Sequence, residues 1–208
     1  MTKQCIITFL GPVGVGKSTQ IKLLQNYFRL NKKMVVTTFI KNTHLLAYSI
    51  LRFLKLLRKD VDEKLLSILY LLDTISIPIK FFFTVYIPFH LGFTILIEEG
   101  LIMTLFTYTE RYPKLSGFKP KKPPFLTRLI GWILKQKHVN VILEAEDNEL
   151  TKRRKNRNYR QYELHEYVYL QKKWLTHINF GKTLFIETTN LSVMQTHKVI
   201  VAAIEKPT

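Results

Sequence analysis

The chain has 208 residues, 47% of them apolar, enough to bury a sizeable core in a single globular domain, so disorder is excluded as its main state. Thirty-two Lys plus Arg against fifteen Asp plus Glu leave a formal charge of +17, which predicts attraction to polyanions: nucleotides, nucleic acid or an anionic membrane surface. The single cysteine, Cys5, cannot close an internal disulfide, which excludes a disulfide-stapled secreted scaffold; with no signal-peptide pattern before Gly11, a cytoplasmic protein is expected.

Short β-branched and apolar runs alternate with longer helical patterns, the signature of βαβ units around a parallel sheet. Strands are expected near 4–10, 34–40, 93–98, 139–145 and 183–187, mostly as continuous apolar runs of the kind covered by helices on both faces. Cys5 belongs to the first run and reads as core.

After the first strand comes Gly11-Pro-Val-Gly-Val-Gly16-Lys17-Ser18, a glycine, four residues, then Gly-Lys-Ser, followed by a helical pattern over 20–30. Glycines let successive N–H groups curve around phosphate oxygens, and the following helix turns its positive end toward the same anion. Gly11, Val13, Gly14, Val15, Gly16, Lys17, Ser18 and Thr19 are therefore the expected nucleotide-binding residues. Lys17 carries charge to the β and γ phosphates of ATP, Ser18 offers a hydroxyl to Mg²⁺, and Thr19 has a weaker claim beside them.

Further along, Asp60 with Glu63 has the pattern of a helix N-terminal capping box. Residues 81–97 carry no formal charge, and Pro88, His90 and Gly92 divide them into a long helix and a buried strand rather than a membrane span. That helix can still present an apolar outer face. Lys119 to Pro124 reads as an exposed basic loop. After the fourth strand, Arg153, Arg157 and Arg160 fall at four- and three-residue steps, which puts them on one face of a helix, where planar guanidinium forks suit a phosphate chain. Tyr159, Tyr162, Tyr167, Tyr169 and Trp174 follow and read as core packing, and Ser192 with Gln195 caps a closing helix whose buried stripe is Val193, Val199, Ile200 and Ala203.

With these motifs in place, the whole chain resembles the thymidylate kinase family of phosphate-loop proteins. The resemblance covers the loop with its Gly-Lys-Ser-Thr, a second strand, a long helical region ending in a third strand with an acid, and a fourth strand followed by a basic lid. It implies one three-layer doubly wound α/β domain over 1–208, with five parallel strands in order 2-3-1-4-5 and a lid near 148–160 that closes over ATP.

By the same resemblance, Glu98 and Glu99 stand where the family has a metal-side acid, Glu99 being the better match and thus a catalytic and metal-site candidate with Ser18. Lys17, Arg153, Arg157 and Arg160 are the remaining catalytic candidates. Lys41 and Asp73 are the candidates for holding the acceptor, by default a nucleoside monophosphate such as dTMP. Gly100 stands where the family has Arg, Thr74 replaces the Arg after Asp73, and the Arg-Glu-Pro-Gly after the second strand has no counterpart. Three acceptor-side arginines are missing, which weakens the case for dTMP more than that for ATP. Two readings stay open beside the kinase: an ATP-binding module that holds nucleic acid or an anionic membrane through its charge, and assembly as a homodimer.

Overall fold

The computed structural model describes residues 4–39, 72, 74–111, 124–156, 164–176 and 181–205. Five parallel strands form one sheet: β1 (Ile6–Leu10), β2 (Val35–Phe39), β3 (Thr94–Glu98), β4 (His138–Glu144) and β5 (Lys182–Glu187). Their spatial order is β2-β3-β1-β4-β5, as expected. The register sets Phe9 against Glu98 on one side of β1 and against Val141 on the other. All strands run the same way, so the chain leaving β1, β3 and β4 emerges along one edge, where the strand order reverses and ligands bind in such sheets.

Alternation along β1 assigns its residues to the two faces. Ile7 and Phe9 pack with Ile21, Leu24 and Phe28 of α1 (Lys17–Leu30) and with Ile200. Ile6 faces the other way, with Ile77, Phe81, Val85 and Phe89, while Leu10 meets Met103, Phe106, Tyr167 and Leu170. Truncating a side chain such as the fully buried Phe9 to alanine costs about 3–5 kcal/mol.

The charge-free stretch is the helix and strand expected. A helix, α2, runs over 74–90 and widens into a π-turn at Phe82–Tyr86 before Ile87–His90. Pro88 has no N–H for a carbonyl four residues back, and the Ile87 N–H reaches five back, to Phe82. Ile75, Ile79, Phe82 and Phe83 lie exposed on its outer side. No helix among the described residues is long and apolar enough to cross a membrane. The remaining helices are α3 (Leu101–Phe106, continuing as a π-turn over Thr107–Arg111), α4 (Pro124–Lys135), α5 (Asp147–Lys155), α6 (Leu164–Thr176) and α7 (Val193–Glu205).

Other details depart from the sequence reading. The Ser192 box forms, each residue's side chain bonding the other's backbone N–H, but α7 buries Thr196, His197 and Ile200 while Val193 and Val199 face out. The helix is rolled so that its polar Thr196 and His197 lie inward. Tyr167 is buried and Trp174 packs beside it, whereas Tyr169 is 63% exposed because it points from the opposite side of α6. Residues 119–123, the Asp60 and Glu63 box, Tyr159 and Tyr162 lie outside the described residues. Inside the sheet, Thr8 Oγ1 and His138 Nε2 lie 3.1 Å apart, and burial pushes the His138 pKa down to about 4, so the ring is neutral.

Candidate active site

The chain turns from β1 into α1 through three left-handed glycines: Gly11 (φ 136°), Gly14 (φ 93°) and Gly16 (φ 105°). Two are wedged. A Cβ on Gly11 would lie 2.2 Å from the Leu143 carbonyl oxygen of β4, and one on Gly14 would lie 3.2 Å from Arg154 Cγ of α5. The third is open among the described residues: none of their atoms lies within 4 Å of a Cβ on Gly16, which caps α1 without any side-chain hydrogen bond. With no acid in its first turn and no side-chain cap, α1 thus turns its first backbone N–H groups and its positive end toward the loop, an anion cradle. Val15 is buried in the core and Val13 packs beneath the loop, so only their backbone is available to a nucleotide. Thr19 sits part-buried in the first turn of α1.

Lys17 curls back over this loop. Its Nζ donates to the carbonyls of Gly11 (2.7 Å) and Pro12 (3.0 Å) and pairs with Glu99 Oε1 at 3.1 Å, with both side chains about 95% buried. Ser18, by contrast, is exposed, and its Oγ donates to Glu98 Oε1 at 2.7 Å. The two acids at the end of β3 therefore divide: Glu98 faces the hydroxyl and Glu99 faces the ammonium. The sequence reading put Glu99 at a metal beside Ser18; in the structure the carboxylate bonded to Ser18 is that of Glu98. Glu99 adopts a left-handed conformation (φ 50°), and its side chain is turned to Lys17. Gly100 is crowded: a Cβ there would approach Ile97 Cγ2 to 3.1 Å and Thr8 Cγ2 to 3.2 Å, which leaves little room for the arginine that the resemblance expects.

Two further residues lie against the loop: Gln171, which no motif marks, and Arg154, which falls inside the expected lid near 148–160 but is not among the arginines that the helical spacing picks out there. Gln171 of α6, fully buried, donates from Nε2 to the Gly11 carbonyl at 2.9 Å, so that one oxygen is shared with Lys17. Arg154 of α5 is 6% exposed, lays its stem on Gly14, and donates from Nε to the Leu150 carbonyl at 2.9 Å. Burial lowers its pKa, with Asp147 acting in the opposite sense. Its neighbour Arg153, which the helical spacing singled out, is engaged elsewhere. It donates from Nε to Glu149 (2.8 Å) and from its two terminal nitrogens to Thr188 Oγ1 (3.2 Å) and the Thr188 carbonyl (3.1 Å), tying α5 to the end of β5. Lys172 anchors the start of the same helix through Asp147 and the Ala145 carbonyl. Arg157, Arg160, Lys41 and Asp73 lie outside the described residues.

Mg²⁺ favours oxygen ligands and keeps several waters, and the exposed Ser18 hydroxyl beside the Glu98 carboxylate is an oxygen pair of that kind at the mouth of an open anion cradle. The residues present fit a magnesium nucleotide.

A glycine loop leading into a helix at the carboxyl edge of a five-stranded parallel sheet, with acids from the neighbouring strand, is the architecture of the phosphate-loop NTPases. No family model and no curated protein matches the chain. Solved structures do. Thymidylate kinase from Candida albicans superposes with a TM-score of 0.58 at 17% identity, over 98% of this chain and 92% of that one. Thymidylate kinase from Ehrlichia chaffeensis gives 0.54 at 17%, over 98% and 100%. The YorR protein of Bacillus subtilis, solved in complex with phosphorylated GDP, gives 0.57 at 17%, over 96% and 95%. The fold is that of thymidylate kinases.

Proposed function

We propose that the protein is a cytoplasmic, Mg²⁺- and ATP-dependent kinase that moves the γ-phosphoryl group of ATP to a small acceptor, with a nucleoside monophosphate as the default. The observation that carries this reading is the Lys17 ammonium held inside a loop whose helix end is uncapped and open, with Ser18 and Glu98 bonded at its rim. The fold likeness to two thymidylate kinases and to a protein holding phosphorylated GDP supports a nucleotide as substrate.

In this reading the loop N–H groups and Lys17 hold the β and γ phosphates and neutralise charge that builds up as the γ-phosphoryl group moves. Ser18 and Glu98 would hold a magnesium ion, which would supply positive charge to shield the phosphates from the attacking oxygen. An acceptor oxygen forms a bond to the γ phosphorus as the bond to the β,γ-bridging oxygen breaks, and ADP leaves. Arg154 stands at the opposite wall of the loop from Glu98 and Glu99, and its guanidinium supplies the positive charge on the lid side. Arg157 and Arg160 follow on the same segment and are proposed to complete the lid. Lys41 and Asp73 are proposed to hold the acceptor, and the three absent arginines predict slow turnover of dTMP.

The test is an ADP-release assay across a panel of nucleoside monophosphates and other phosphorylatable metabolites. Acceptor-dependent release with at least one member is expected. Release no faster than the acceptor-free background for all of them, together with failure to bind ATP, would overturn the proposal.

A further inference from the structure

The Lys17–Glu99 pair sits where a phosphate is expected, and resting on the phosphate reading of this loop we infer that Glu99 is an internal occupant of the phosphate site, a carboxylate that a polyphosphate must displace from Lys17 in order to bind. Three observations converge on it. First, the pair is closed, at 3.1 Å between Nζ and Oε1, and both side chains are about 95% buried, so solvent screens the attraction little. Second, the rest of the Lys17 ammonium is bonded to carbonyls of the loop itself, so the lysine is folded down over the cradle and not extended from it. Third, Glu99 takes a left-handed backbone conformation that glycine would adopt without strain, and that conformation is what aims its carboxylate at Lys17.

The pairing makes Glu99 a specificity-determining residue. A carboxylate beneath the loop repels a metal-free polyphosphate and competes with it for the ammonium. A magnesium polyphosphate arrives with part of its charge neutralised and with a cation that engages Ser18 and Glu98, so it meets less of that opposition. Glu99 therefore sets the loop to take nucleotide and divalent cation together and to turn away the free polyphosphate.

The experiment measures binding of inorganic tripolyphosphate and of ATP to the full chain by calorimetry, in EDTA and in excess Mg²⁺, for the parent, Glu99→Gln and Glu99→Asp. Glu99→Gln is expected to tighten metal-free binding about tenfold or more, an order set by removing one repelling charge from a buried site. Its gain with Mg²⁺ is smaller, so the dependence of affinity on metal shrinks. Melting supplies a second readout. Without ligand the variant melts below the parent, since Lys17 loses its buried counter-ion, and tripolyphosphate raises its melting temperature more than it raises the parent's. Glu99→Asp keeps the charge and should stay close to the parent in metal-free affinity, which also serves if the Gln variant folds poorly. Metal-free affinity in Glu99→Gln equal to or weaker than the parent's, while the parent binds magnesium ATP, would overturn the inference alone. Failure of every form to bind either ligand with Mg²⁺ would overturn the phosphate reading and this inference with it.

Discussion

The two walls of the glycine loop treat their charges in opposite ways. On the β3 wall each functional group has a partner at hand: Lys17 holds Glu99 and two carbonyls, and Ser18 holds Glu98. On the α5 wall two consecutive arginines part company. Arg153 spends its guanidinium on Glu149 and Thr188, while Arg154 is buried against the loop and, among the described residues, donates from Nε to the carbonyl one turn back in its own helix, with Asp147 as its nearby acid. A charge balanced by a neighbouring acid resists moving, whereas a guanidinium with unspent donors is prepared for an incoming anion. On the proposed function, this difference gives the strand-end wall the part of selecting what enters and the lid wall that of supplying positive charge.

The largest expected effect tests the part of the site on which both walls converge. Lys17→Ala should reduce phosphoryl transfer by at least about 10³-fold, as loss of a fixed charge at the transferring group does in preorganised sites. Circular dichroism should show the fold retained, although Glu99 is left buried without its partner and stability falls. Turnover equal to the parent's would remove the loop from the chemistry. Next comes the lid wall. Arg154→Ala should lower kcat by about 10²-fold, and Arg154→Lys should recover only a small part, because an ammonium keeps the charge but not the planar fork. Full recovery by lysine would reduce Arg154 to bulk electrostatics.

Much of this was legible in the chain itself, for identifiable reasons. The three central strands are buried on both faces, which leaves their signal unmixed; Ile95, Leu96 and Ile97 are all fully buried, whereas the edge strands β2 and β5 are part-exposed and read from their β-branched residues. The loop is legible because Gly11 and Gly16, both left-handed in the structure, are the two glycines that the motif records, while the left-handed Gly14 falls among its unspecified positions. What the chain hides is direction. Helical spacing selects Arg153 as readily as Arg154, and only the packing of Gly14 against α5 decides which of them meets the loop. The same holds for Glu98 and Glu99: of these adjacent identical residues only Glu99 takes a positive φ, which no pattern of side chains displays. Gln171 is further still from view, 160 residues from the Gly11 carbonyl that it holds.

The metal side carries a smaller expected effect. Ser18→Ala and Glu98→Gln should each cut turnover about tenfold at limiting Mg²⁺, and part of the loss should be regained as Mg²⁺ rises, because removing one oxygen donor weakens cation binding and leaves phosphate binding intact. A titration of rate against Mg²⁺ reads this directly. If Glu99→Gln rather than Glu98→Gln raises the Mg²⁺ requirement, the division of labour between the two acids is reversed.

The smallest catalytic effect belongs to Arg153, and it is the sharpest check on the difference between the two arginines. Its Nε meets Glu149 one turn earlier, and its terminal nitrogens meet the hydroxyl and carbonyl of Thr188, whose own Oγ1 donates to the Glu144 carbonyl at the end of β4. Arg153 thereby fastens α5 to the ends of β4 and β5, and its donors are already in use. Arg153→Ala should destabilise the fold by about 1–2 kcal/mol, the sum of a part-exposed ion pair and two charge-assisted hydrogen bonds discounted for solvent. Its turnover at saturating ATP should stay within about threefold of the parent's, since a transition-state arginine would cost far more. Thermal melting and steady-state rates measured on the same preparation separate the two roles. A loss of kcat as large as that of Arg154→Ala, with an unchanged melting temperature, would mean that Arg153 leaves Thr188 when nucleotide binds and that the two arginines act together on the phosphates.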